Sequence, residues 1–157
     1  MVASIVSVHD ELHRRLEERV WRLLEAMATR DTPQALRHFH LFATVLDAHM
    51  AIENERVIPA WRPLVPAEGP GRVDHLEGDH VILVREVTEI RGFLPEPGDL
   101  RTTLHRLPVV YRLLSVLEHH TAREVPVYRA LETALSTAAR ADLAALLSGL
   151  VDRLEDR

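Results

Sequence analysis

The segment LDAHMAIENERVIP, residues 46–59, is the part of the chain on which the fold depends. An α-helix turns by about 100° per residue, so His49 and Glu53, four residues apart, lie on one face. Helical counting puts four apolar residues on the same face: Phe39, Val45, Leu46 and Val57. A carboxylate aimed at a protein core needs a hydrogen-bond partner, a proton or a metal ion. A buried His–Glu hydrogen bond would explain this segment taken alone, so the rest of the chain has to decide.

The composition predicts a single helical domain. At 157 residues the chain is long enough for one domain, residues 1–157, whose core buries about two-thirds of the unfolded surface. Apolar residues make up 46% of the chain and aromatic residues only 4%, which is typical of helical proteins. No alternating strand pattern competes with the helical periodicity.

The residue types that are absent exclude several classes of function. There is no cysteine, so any metal must be held by nitrogen and oxygen ligands, which suit Fe, Mn or Zn. The net charge of -5 at pH 7, with no basic patch, argues against nucleic-acid binding. No apolar run approaches the roughly 18 residues of a membrane span, and Met1–Ser7 lacks the features of a signal peptide. The sequence therefore predicts a soluble, cytoplasmic protein that does not enter a membrane.

Helical periodicity and breaker residues predict five helices, over about residues 4–29, 33–61, 73–93, 100–134 and 137–154. Asp31-Thr32-Pro33 separates the first two, and Pro- and Gly-rich residues 62–72 and 94–99 form the next connections. Pro59 is predicted to kink the second helix and Pro126 to bend the fourth. The first four helices, over about residues 4–134, are predicted to form an all-α, up-down-up-down four-helix bundle. The additional C-terminal helix carries no candidate ligand and is expected to pack over the bundle or at a subunit contact.

Histidines recur on the inward faces of the other three bundle helices. His9 lies near the centre of the first apolar stripe, and His13 lies about 40° further round, close to its edge. His80 lies on the third stripe, and helical counting puts His120 and Glu124 on the shoulder of the fourth. The same count turns three other histidines outward: His40, His75 and His119.

Distances along the chain from the predicted turns put the inward side chains at one height. His9 precedes Asp31 by 22 residues, and Glu53 follows it by 22. From Pro66, Glu53 lies 13 residues back and His80 lies 14 ahead. From Pro97, His80 lies 17 residues back and His120 lies 23 ahead, which is a looser match. The predicted layer contains His9, His49, Glu53, His80, His120 and Glu124. So many polar groups can hardly satisfy one another in an apolar core, so one or two divalent cations among them are the favoured explanation.

At this point the motifs match a known family. They are Val8-His9-Asp10-Glu11-Leu12, the H-x3-E pair from His49 to Glu53 with Pro59 after it, Asp79-His80, and His119-His120 followed by Glu124. The chain resembles the hemerythrin-like, or HHE, cation-binding domain from about Val8 to Leu131. The resemblance implies a four-helix bundle around two non-haem Fe ions, or around Mn or Zn, in which Glu53 and Glu124 bridge the metals and the histidines bind terminally.

Two positions depart from the oxygen-carrying hemerythrins. Those proteins have H-x3-H in the third helix, whereas Leu76 stands four residues before His80 here. Glu77 and His75 are the candidates to replace the missing ligand. The spacing of five between histidine and carboxylate that is common in the fourth helix would select His119, whereas regular helical geometry selects His120. His120 is the preferred candidate, and an open metal position is expected from the missing histidine.

Three functions are compatible with this sequence. The first is a di-iron protein that binds, senses or detoxifies O2, NO or peroxide, or binds iron itself. The alternative is a di-iron oxidase or peroxidase that acts on a small molecule, which would need a substrate pocket beside the metals. The third is a helical interaction protein whose histidines are structural. A homodimer is left open.

Overall fold

A computed structural model describes residues 4–66 and 71–155, and every regular element of this described part is a helix, which confirms the predicted all-α class. The helices are α1 (Ile5–Ala28), α2 (Thr32–Ile52), α3 (Ile58–Trp61), α4 (Val73–Phe93), α5 (Leu100–Ala134) and α6 (Thr137–Leu154). Residues 1–3, 67–70 and 156–157 lie outside the described part; residues 67–70 belong to the predicted connection before α4.

Short polar side chains cap four of the long helices. Ser4 accepts a hydrogen bond from the backbone N–H of Ser7 and starts α1. Asp31, Asp99 and Ser136 each cap the following helix in the same way, at α2, α5 and α6. Each cap satisfies an N–H group that the first helical turn leaves unpaired, so these residues fix where the helices begin.

The predicted second helix is broken by a π turn, Glu53–Val57, between α2 and α3. The backbone N–H of Ile58 donates to the carbonyl of Glu53, five residues back. A proline ring clashes with the carbonyl four residues before it in a regular helix, and Pro59 follows directly. The wider turn accommodates Pro59, so the irregularity lies before the proline, at Glu53, and not at the proline itself.

The helices share one continuous apolar core. α1 packs against α2, α5 and α6, and α4 packs against α5. α6 lies on α1 and α2, and the buried Arg19 of α1 donates to the backbone carbonyl of Leu154 at the end of α6. Val84 and Leu146, which helical counting places inward, are exposed instead, because each lies at the edge of its apolar stripe. Among the described residues, no helix combines the length and the apolarity needed to cross a bilayer.

Candidate metal centre

The structure brings all six predicted side chains into one buried cluster. α1 contributes His9, α2 contributes His49, and the π turn begins with Glu53. α4 contributes His80, and α5 contributes a histidine and a carboxylate one helical turn apart, His120 and Glu124. None of the six is more than 7% exposed. The cluster also includes His13, which lies one turn after His9 on α1.

Three histidines surround one oxygen of Glu124, and we call this group the three-histidine half. Nε2 of His9 lies 3.2 Å and Nε2 of His13 lies 3.1 Å from Oε2 of Glu124. Nε2 of His49 lies 2.9 Å from Nε2 of His13 and 3.4 Å from Oε1 of Glu53. Potential ligand atoms of His9, His13, His49 and Glu124 all lie within 4.8 Å of one another, close enough to share one ion.

His80 and His120 form the two-histidine half on the other side of the carboxylates. Nε2 of His80 lies 3.1 Å from Oε2 of Glu53. Nε2 of His120 lies 3.6 Å from the same oxygen and 3.2 Å from Oε1 of Glu124. Ligand atoms of His49, Glu53, His120 and Glu124 form a second group within 4.8 Å.

Each carboxylate directs one oxygen into each half. Oε1 of Glu53 faces His49 while its Oε2 faces His80, and Oε2 of Glu124 faces His13 while its Oε1 faces His120. Five imidazoles and two carboxylates therefore divide into two ligand groups with the carboxylates between them. This is the arrangement that two bridged cations require, with nitrogen and oxygen ligands only.

The hydrogen bonds around His13 show that its inner nitrogen carries a lone pair. The hydroxyl of Thr121 donates to the backbone carbonyl of Leu117 at 2.8 Å, so it must accept from Nδ1–H of His13 at 2.7 Å. In the neutral imidazole, Nε2 is then unprotonated, yet it faces Oε2 of Glu124. Two facing lone pairs repel each other, and a cation between them removes the repulsion.

The inner nitrogens of His80 and His120 also indicate that a cation belongs between the histidines and the carboxylates. Nδ1 of His80 donates to Oδ1 of Asn54 at 3.1 Å, which leaves the Nε2 lone pair of the neutral ring directed at Glu53. Nε2 of His120 is buried and makes no hydrogen bond of acceptable geometry among the described residues. Buried polar atoms without partners are rare and costly, so the donor set fits a pair of metal ions.

Burial and charge set the protonation of the cluster. Burial lowers the pKa of His49 to about 4, and burial also lowers the pKa of His13, so both are neutral at pH 7 with a lone pair for a metal. Burial opposes the charged form of His120 as well, but the carboxylates of Glu124, Asp79 and Glu53 outweigh it and raise its pKa well above the ordinary value. A proton on His120 partly compensates the buried carboxylates, and a metal ion would replace it.

Two supporting side chains complete the centre. Tyr128 is fully buried, its hydroxyl donates to Oε1 of Glu53 at 3.1 Å, and its ring centroid lies 3.9 Å from that of His9. Oδ2 of Asp79 lies 3.5 Å from Nδ1 of His120, and the other oxygen of Asp79 accepts from Arg123. Tyr128 lies four residues after Glu124, which places it on the ligand face of α5.

The family model of the hemerythrin HHE cation-binding domain matches residues 2–128, most of the chain. The chain belongs to this hemerythrin family. Membership implies cation binding, typically of iron, and the clustered His and Glu side chains fit such a site. No curated protein and no solved structure gives a significant match. The match ends before α6 begins.

The second histidine of this hemerythrin-family chain lies on α1, whereas the oxygen carriers have their additional histidine on the third helix. The position four residues before His80 holds the buried Leu76. Neither expected replacement lies in the cluster, because His75 and Glu77 are both on the exposed side of α4. His13 supplies the fifth imidazole, which gives α1 the H-x3-H spacing. Helical counting puts His13 only at the edge of the first apolar stripe, whereas the structure places it in the cluster beside His9.

The other outward histidines lie where helical counting puts them. His119 is exposed and its Nδ1 donates to the backbone carbonyl of Ser115, whereas its neighbour His120 is fully buried in the cluster. His40 is exposed on α2. The preference for His120 over His119 therefore agrees with the side-chain positions.

Proposed function

We propose that this protein holds a di-iron centre within a four-helix bundle of α1, α2, α4 and α5 and binds a small ligand there, O2, NO or peroxide. The single observation that carries the proposal is the division of Glu53 and Glu124 between two histidine groups. The proposed ligands are His9, His13, His49, Glu53, His80, His120 and Glu124. Residues 1–157 are proposed to form one domain, because the leucines of α6 share the core of the other helices.

The ligand count favours the two-histidine half as the place where a small ligand binds. The three-histidine half offers three nitrogens, whereas the other half offers only His80 and His120 with the same two carboxylates. Iron held by nitrogen and oxygen ligands supplies a redox change and an open position for a small molecule. The residues of the chain supply the charge balance, the orientation and the exclusion of water.

An apolar void adjoins this half of the centre. Its walls are Glu53, Val57, Ile58, Leu76, His80, Glu124 and Val127. The space between these walls is too narrow to admit a water-sized sphere. Four aliphatic side chains therefore keep bulk water away from the carboxylates, and only a ligand of very few atoms could be accommodated after small movements.

The size of this void favours a diatomic ligand or peroxide over an organic substrate. An oxidase acting on a larger molecule needs a pocket of at least about 300 Å³ next to the metals. The space beside His80 and Leu76 does not admit even a water-sized sphere, so it offers no such pocket. A purely structural role for the histidines is also disfavoured, because it leaves the inward lone pair of His80 facing Oε2 of Glu53.

Metal analysis with visible spectroscopy tests the proposal. The full chain, produced with iron and purified without oxygen, is expected to hold two irons. Its visible spectrum is expected to change on addition of O2 or NO. A colourless, metal-free and stably folded protein would rule out the di-iron proposal. Two bound irons whose spectrum responds to neither gas nor to peroxide would rule out the small-ligand role alone.

A further inference from the structure

A surface groove reaches the centre at one histidine. The groove has a volume of about 270 Å³ and is lined by Met50, Asn54, His80, Val81 and Val84. Val81 and Val84 are exposed, so the groove is open to solvent on the α4 side. His80 is the most exposed of the buried histidines in the cluster, at 7%, whereas His9, His13, His49 and His120 are all at 1% or less.

The imidazole of His80 separates the groove from the apolar void beside the carboxylates. Of the residues described as lining these two spaces, His80 alone belongs to both. A rotation of this ring towards the groove would connect solvent with Glu53 and Glu124. On the three-histidine half, the hydroxyl of Thr121 accepts from the outer nitrogen of His13, and His9, His13 and His49 are each at 1% exposure or less.

Two consecutive residues of the π turn hold the His80 ring in its closed position. Glu53 faces Nε2 of His80 at 3.1 Å, and Oδ1 of Asn54 accepts from its Nδ1 at 3.1 Å. Consecutive residues of a regular α-helix point about 100° apart, and the irregular turn between α2 and α3 lets both side chains contact one ring. Asn54 is exposed, so this hydrogen bond competes with water and opens at low cost.

We propose that this groove is the route by which metal ions and small ligands exchange with the two-histidine half, and that the Asn54–His80 hydrogen bond is its latch. The proposal rests on the di-iron function above. When the latch opens, the His80 ring turns into the groove and an ion or a diatomic molecule passes to the carboxylates. The three-histidine half exchanges more slowly because its histidines are enclosed.

The test measures iron release from the full chain. The protein is loaded anaerobically with two equivalents of Fe(II) and mixed with excess ferrozine, whose coloured complex reports the freed iron. Release is expected in two phases of one iron each. Asn54→Ala removes the latch and is expected to accelerate the fast phase about tenfold, the factor that corresponds to one lost hydrogen bond. Val84→Trp fills the groove and is expected to slow the same phase by a similar factor of about ten.

A matched control uses an exposed leucine outside the groove. Leu104 on α5 is 57% exposed, close to the 50% of Val84, so Leu104→Trp adds the same indole elsewhere and should leave both phases unchanged. The route is refuted if Asn54→Ala and Val84→Trp leave the fast phase unchanged, or if they shift both phases equally. If the unaltered chain holds no iron, the di-iron function and the route both fail; if it holds two irons that neither substitution affects, only the route fails.

Discussion

The hydroxyl of Tyr128 donates a hydrogen bond to Oε1 of Glu53 across 3.1 Å, and both groups are buried. This oxygen also lies 3.4 Å from Nε2 of His49, so the tyrosine fixes the carboxylate where it faces the three-histidine half. Burial raises the pKa of the Tyr128 hydroxyl well above its ordinary value, with the neighbouring carboxylates adding to the effect. The phenol therefore stays protonated and remains a donor.

Tyr128→Phe is expected to weaken iron binding about tenfold, because it removes one hydrogen bond to a charged ligand while keeping the ring over His9. A competition titration against a chelator of known affinity measures the change. Tyr111→Phe is the matched control, since Tyr111 is 49% exposed and contacts Trp21, not the cluster. Equal affinities for Tyr128→Phe and the unaltered chain would contradict the positioning role of the phenol.

Substitution of a single ligand is expected to lower the metal content. His49→Ala removes a nitrogen of the three-histidine half, and Glu53→Ala removes a carboxylate that lies between the two halves, so the iron content should fall from two to one per chain or less. His40→Ala, on the exposed side of the same helix, should leave it unchanged. Elemental analysis of the three variants, each checked for helicity, provides the measurement. Equal losses in all three would mean that the inward and outward faces of α2 are wrongly assigned.

Chelation is expected to lower the melting temperature. A metal that binds only the folded chain stabilises it by about 4 kcal/mol at a thousand times the dissociation constant. For a protein of this length that corresponds to a drop of roughly 10 °C when the metal is removed. Calorimetry with and without EDTA measures the difference, and re-addition of iron should restore the original value. An unchanged melting temperature would favour structural histidines.

Metal binding is expected to release protons at pH 7. For His9, burial lowers the pKa, but the Glu124 carboxylate outweighs it, and the net pKa is raised, as it is for His120. His120, whose pKa lies well above its ordinary value, holds its proton at neutral pH, and a metal must displace that proton to reach the lone pair. Apparent affinity should therefore rise as the pH rises. Calorimetric titration in buffers of different ionisation enthalpy counts the protons, and a count of zero would contradict the charge assignment.

Leu76→His is expected to weaken NO binding. The new imidazole would lie one turn before His80, in the void beside Glu53, and would take the position that a small ligand uses. Leu76→Met conserves volume and offers no nitrogen, so it serves as the control. The NO-induced change in the visible spectrum is the measurement. Unaltered NO binding in Leu76→His would place the ligand elsewhere.

The helices and most of the cluster follow from periodicity. His49 and Glu53 are four residues apart on an apolar face, and that spacing alone is enough to align them in a helix. Counting from the turns then gives the common height of His9 and His80. His13 was harder to place, because a side chain at the edge of a stripe turns inward or outward according to how its helix is rotated against its neighbours, and no local pattern records that rotation.

Other features depend on contacts between distant segments. Asp79 and Arg123 come from different helices, and their pairing beside His120 has no signature in either segment. The π turn was missed because Pro59 signals an irregularity without specifying whether it lies at the proline or in the preceding turn. The exposure of Val84 also depends on how far the neighbouring helices cover α4.

The π turn makes the length of its segment a structural constraint. In a regular α-helix Ile58 would lie about 140° around the axis from Glu53. Ile58 is nevertheless only 4% exposed, because the hydrogen bond from its N–H to the carbonyl of Glu53, five residues back, returns it to the inner side. The turn thus acts as a one-residue insertion in an otherwise continuous helix. Deleting one residue between Glu53 and Ile58 would restore regular α-helical geometry. The residues that follow, which line the void beside the carboxylates, would then rotate towards water. A change in the number of residues along this segment would therefore disturb the centre even if every ligand residue were kept.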